Sequence, residues 1–261
     1  MDIEELKKSC KFHKWHEYEP MDAQYERYIE NPSVLAAGHK INDVYHTFCD
    51  ARAGMIYSAC KNYGDLCEDD DLSRLNLRAM IIKHSLIDYA ICLDLSWQVI
   101  WAYIQPTNFS YLVSRGYKEL EKVCTSEVVH VQLNCAISQK NLEAEKISTL
   151  LTGFEMDEDV VSLRKVYNSV KHHGILYFNG FAEDSTFNFL FDKNIEFPLK
   201  RTMYDLNYIK ELLLRYHGKF EDYFSKLIDI IMPKDYLDTR IDLIGMITTI
   251  AKIEKMENSK K

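Results

Sequence analysis

MIIKHSLIDYAICLDLSWQVIWAYI, residues 80–104, is the most apolar run of the chain, and its reading decides the fold. Lys83, His84, Asp88 and Asp94 interrupt it. Charges at such positions are costly inside lipid, so the run is expected to be a buried helix of a globular protein, with no membrane span. It is apolar almost all round, as a central helix must be. Leu86, Leu93 and Trp97 share one side, and Ile91, Leu95 and Val99 another. His84 and Asp88 are one turn apart. A buried carboxylate without a partner tends to take up a proton. Asp88 or Asp94 is therefore expected to meet a cation from another helix.

The rest of the chain fits around this helix. Only 9 Gly and 5 Pro fall in 261 residues, and so few breakers favour long helices. Asn31-Pro32 gives a helix start, with Asn as cap and Pro in the first turn, and Gly64 gives its stop. The pattern predicts helices over about 31–63, 72–104, 109–123, 126–152, 157–173, 205–231 and 235–256. Residues 1–30, charged and aromatic with weak periodicity, read as a loosely packed arm. Residues 175–200 carry ILYFNGF and TFNFLF between turn signals, and predict a small β-hairpin. Long helices with short connections predict an all-α, antiparallel helical bundle, with residues 31–258 as one domain.

Composition narrows the function classes. Hydrophobic residues make up 47% of the chain, enough for a sizeable core. The formal charge of -8 argues against a general nucleic-acid or DNA coat, which would be basic. The seven cysteines are odd in number and contain no C-x-x-C, so a reducing, cytoplasmic location is expected and no disulfide framework. MDIEELKKSC lacks an apolar segment, so no secretory signal is expected there.

Two groups of polar residues stand out. His39, Asp43, His46 and Asp50 fall at i, i+4, i+7 and i+11, a stripe of metal-ligand types. The stripe lies nearly opposite the apolar face of Val34, Ile41, Val44, Phe48 and Met55. Bundle metal sites project inward, so the stripe reads as a solvated or partner-facing surface, and no metal or cofactor is expected.

The second group is RKVYNSVKHHG, residues 164–174. At about 100° per residue, Arg164, Asn168, Lys171 and His172 share one arc beside the apolar stripe of Val160, Leu163, Tyr167 and Val170. His173 points away. Basic residues at a helix C-terminus are expected as caps, but Arg164 and Asn168 lie too early in the helix for that. Arg with His on one face can bind phosphate and move a proton. For metal-free RNA cleavage, His would act on the 2′-hydroxyl or the leaving oxygen, while Arg and Lys stabilise the phosphorane. Arg164, Asn168, Lys171 and His172 are thus the candidate catalytic residues. The residues also allow a polar edge with no chemistry, in which Arg164 pairs with Asp88 or Asp94.

An all-α bundle with N-x-x-K-H after an upstream Arg resembles the HEPN superfamily, over roughly residues 33–175. In that superfamily an R-x(4-6)-H motif near a helix end marks metal-independent endoribonucleases, usually dimers that join two motifs in one cleft. Other members have lost catalysis and serve as dimerising or binding modules. The resemblance implies contact with RNA or another phosphate-bearing ligand, a homodimer, and Arg164 with His172 or His173 as the motif pair. Seven residues separate Arg164 from His172 and eight from His173, a departure from the motif. That departure points toward a degenerate member. A non-catalytic structural or protein-interaction module is the alternative, and a metal enzyme built on the His39 stripe is a third.

Overall fold

The structure is a computed structural model that describes residues 1–105, 112, 114–173, 176–179 and 202–258. The chain is all-α, with a single two-stranded sheet among the described residues. The helices are α1 (Ile3–Lys8), α2 (Asp22–Tyr28), α3 (Pro32–Ser58), α4 (Asp71–Ile104), α5 (Arg115–Glu121), α6 (Ser126–Ser138), α7 (Leu142–Glu155), α8 (Glu158–His173), α9 (Leu206–Ile231) and α10 (Leu243–Asn258). A 3-10 helix spans Lys11–Tyr18.

Helix α4 is the run read first from the sequence. Asp70 caps it, accepting a hydrogen bond from the Ser73 amide at 2.8 Å. It buries side chains on several faces, among them Leu86, Tyr89, Leu93, Val99 and Trp101. Its main neighbour is α3. Arg78 donates to the Cys60 carbonyl, and Phe48 packs edge-on against Tyr89 with ring centroids 5.7 Å apart. Contacts that climb α4 descend α3, so these two helices run in opposite directions. A Cβ on Gly54 would collide with Ser85 Oγ, so glycine there permits the close approach.

Helix α9, capped by Asp205, packs on α4, α7 and α8. It supplies Leu212, Leu213, Tyr216, Phe220, Phe224 and Leu227 to the core, all fully buried. Its His217 stacks on Phe48 with ring centroids 4.4 Å apart and meets the Tyr89 hydroxyl at 2.9 Å.

Three expectations are corrected. Residues 1–30 are not a loose arm: Leu6, Phe12 and Trp15 lie in the core. Arg52 fixes them by donating to the carbonyls of Leu6, Lys7 and Ser9. The half-ring of bonds is completed by Glu221, which accepts from Ser9 Oγ and from the Phe12 amide. The helix expected over 126–152 is two, because Lys140 takes a left-handed φ of 65° and Asn141 starts α7 by accepting from the amides of Glu143 and Ala144. The helix expected from 235 starts only at Leu243, after a run of turns. The hairpin expected over 175–200 lies largely outside the described residues. Within them, Tyr177–Phe178 (β1) pairs in parallel with Met203–Tyr204 (β2).

All seven cysteines are free thiols. Among the described residues no helix is long and apolar enough to cross a membrane.

Candidate functional site

Helix α8 carries the polar group singled out from the sequence. Asp157 caps it, accepting from the Asp159 amide at 2.9 Å, and Lys219 and Arg215 of α9 tie this end down through Asp157 and Asp159. Both α9 cations lower the Asp159 carboxyl below its usual range, against an opposing effect of burial. Val160, Leu163, Val166 and Val170 form the buried stripe, while Tyr167 is half-buried at its edge.

Arg164 sits at that edge and turns inward. Its Nη1 donates to Asp94 Oδ1 of α4 at 2.7 Å. Its guanidinium lies 5.0 Å from the Trp97 ring centroid and 5.6 Å from that of Tyr167. The expectation that Asp88 or Asp94 meets a cation from another helix is thus met at Asp94. Asp88 has no ion-pair partner among the described residues, and burial, then the nearby Asp50 charge, raises its carboxyl above the usual range.

Asn168, Lys171 and His172 are exposed, and their side chains make no hydrogen bond among the described residues. The side chain of His173 lies outside the described set. Eight helical steps carry His172 about 12 Å along the axis from Arg164. Arg164 is turned into the bundle edge, and His172 stands in solvent two turns away.

Beside Arg164 is a shallow depression of about 220 Å³, lined by Leu93, Trp97, Ser126, Glu155, Val160 and Arg164. Glu155 is its organiser. It accepts from Trp97 Nε1 at 2.9 Å and from Ser126 Oγ at 2.9 Å, and its second oxygen meets His130 Nε2 at 2.7 Å. With three of its acceptor positions filled, the carboxylate is poorly placed to act as a base. None of Ser126, His130 or Glu155 belongs to the group read from the sequence. They lie on α6 and α7 at separations that carry no motif, and only the fold brings them to Arg164.

The His39 stripe is also committed elsewhere. His39 Nδ1 pairs with Glu19 at 2.7 Å, and its Nε2 meets the Tyr25 hydroxyl at 2.9 Å. Both ring nitrogens are occupied, and Asp43 accepts from Lys40 at 3.1 Å. His46 and Asp50 are exposed. Among the described residues no three His, Cys, Asp or Glu side chains are grouped as a metal site would require.

No family model, no curated protein and no solved structure matches this chain.

Proposed function

We propose that this chain is a non-catalytic helical interaction module, a degenerate bundle of the HEPN-like kind. The observation that carries the reading is the state of Arg164. Metal-free phosphoryl transfer is served by a cation aimed at the phosphate beside a group that can move a proton. Arg164 is charge-matched by Asp94, lies against the rings of Trp97 and Tyr167 and is separated from His172 by two helical turns. Such a cation holds α8 to α4 and has little charge left for a phosphorane. The test is incubation of the purified protein with short single-stranded RNA in EDTA. The reading expects intact RNA at every protein concentration. Cleavage that disappears in Arg164→Ala and His172→Ala would refute it and restore the endoribonuclease reading.

One observation supports a second reading, in which the same helix contacts RNA without cutting it. Asn168, Lys171 and His172 are exposed and lack intramolecular partners among the described residues. If they meet phosphates, Lys171→Ala weakens RNA binding and flattens its salt dependence by about one charge. The net charge of -8 works against this reading.

A further inference from the structure

We propose that α10 is a self-association surface that pairs antiparallel with the α10 of a second copy of this chain. The proposal rests on the interaction-module reading and gives that module its partner. One side of α10 is held to α2: Thr249 Oγ1 donates to the Glu26 carbonyl, the Asp242 amide donates to the Glu26 carboxylate, and Lys252 pairs with Glu30. The opposite side is apolar and in solvent. Leu243, Ile244, Ile247 and Ile250 are 66%, 74%, 60% and 50% exposed. Scattered exposed apolar residues are ordinary, but a contiguous patch on a helix already docked by its other face marks an interaction site.

The spacing of the patch identifies the occupant. Leu243, Ile247, Ile250 and Glu254 recur at intervals of four, three and four, the seam of a helix that packs lengthwise on another helix. An antiparallel two-fold between Ile247 and Ile250 sets each against the other in the second copy, and sets Leu243 against Glu254. The charges at the ends then complement one another. Asp242 lies at one end, where its carboxylate accepts from the Ile244 and Gly245 amides, and Lys255 at the other; both are exposed, while Arg240 nearby is already paired with Asp238. Antiparallel pairing brings Asp242 to Lys255 at both ends. Parallel pairing would set Glu254 on Glu254 and Lys255 on Lys255. The surface is therefore complementary to itself in one orientation, as a two-fold contact requires.

Its size sets the strength. A helix of 16 residues is about 24 Å long. One face of it is smaller than the roughly 800 Å² per partner of a standard interface. The dimer is of the weak, concentration-dependent class. It uses no residue of the Arg164–His172 helix, so it differs from the motif-sharing dimer that the HEPN resemblance implies.

The experiment is sedimentation velocity of the whole protein over a wide concentration range, beside two variants. The expected result is a monomer–dimer equilibrium. Ile247→Glu with Ile250→Glu should weaken it by more than about tenfold without altering the circular dichroism, since neither side chain supports the fold. Lys255→Glu, which sets a carboxylate against Asp242 of the second copy, should weaken it several-fold. A protein that stays monomeric at all concentrations overturns the proposal, as does a dimer indifferent to the Ile247/Ile250 change. A monomer that floats with phosphatidylserine-containing vesicles through the same isoleucines also overturns it, with a lipid surface as the occupant. These outcomes leave the non-catalytic reading standing. RNA cleavage in EDTA would refute that reading without touching the sedimentation result.

Discussion

Replacing Arg164 with alanine separates the two roles this residue could have. The change removes the 2.7 Å bond to Asp94 and the ring contacts to Trp97 and Tyr167. Both ionic side chains keep some exposure, 28% for Arg164 and 36% for Asp94, so the pair is valued as a surface bridge at about 0–1 kcal/mol. Each ring contact adds about 0.5 kcal/mol or slightly more at such a site. The orphaned Asp94 stays hydrated, so no large desolvation cost is added. The total is about 1–2 kcal/mol, which for a domain of this size lowers the melting temperature by roughly 2–8 °C. Differential scanning calorimetry reads this directly. A double-mutant cycle with Asp94→Ala should return about 0.5–1 kcal/mol of coupling. His172→Ala, exposed and without described partners, should leave the transition in place. An unchanged melting temperature in Arg164→Ala, with loss of RNA binding by a parent that binds RNA, would refute the reasoning and make Arg164 a ligand-binding residue.

Phe12→Ala should cost about 3–5 kcal/mol, measured by urea unfolding, because the ring is fully buried against Trp15 and Phe48; a cost below half a kcal/mol would return residues 1–30 to the status of an arm. Asp88→Asn should be neutral or slightly stabilising at pH 7. The folded state raises this carboxyl, so the unfolded chain loses the proton first as pH rises through the usual carboxylate range, and stability falls there; the asparagine variant should lack that part of the fall in a pH series of urea midpoints. His217 should give the opposite slope. Burial holds its imidazole down to about 3 from an ordinary 6.5, so its stabilisation is complete above pH 6.5 and lost progressively toward pH 3. His217→Gln should remove that share of the acid sensitivity, and an unchanged profile would mean that His217 is hydrated.

The parts legible in the sequence are those fixed by local rules. Helix α4 runs over Asp71–Ile104 against an expected 72–104, because an apolar run with an Asp cap admits little else. Asp205 and Pro233 bracket α9 equally well. The break between α6 and α7 was in principle readable, since Gln139-Lys140-Asn141 is a polar run ending in a good cap, but apolar periodicity on both sides masked it. The packing of residues 1–30 was not readable. Phe12 and Trp15 lie on a 3-10 helix, which does not keep the 3.6-residue period; their rings pack on Phe48, and the polar groups that anchor them, Glu221 and Ser225, are some 200 positions away. At the candidate site the sequence placed Arg164, Asn168, Lys171 and His172 on one arc but could not say which way Arg164 turns. The choice depended on Asp94, 70 residues earlier, and on Glu155, whose bonds to Trp97, Ser126 and His130 shape the ground beside it.

The link from Ser9 and Phe12 to Glu221 spans more than 200 residues and has a consequence in time. On the ribosome, Phe12 is made long before Glu221, and the early contacts of Arg52 are to backbone carbonyls and to one face of the Phe12 ring. The aromatic seat for Phe12 needs Phe48, available early, and His217, which arrives late. Contacts of such separation are slow to form because the intervening loop must close first. The final packing of residues 1–18 therefore follows release of α9 from the ribosomal tunnel. A nascent chain arrested before Leu206 should be cut by protease within this segment, and one extended well beyond Ile231 should be protected there.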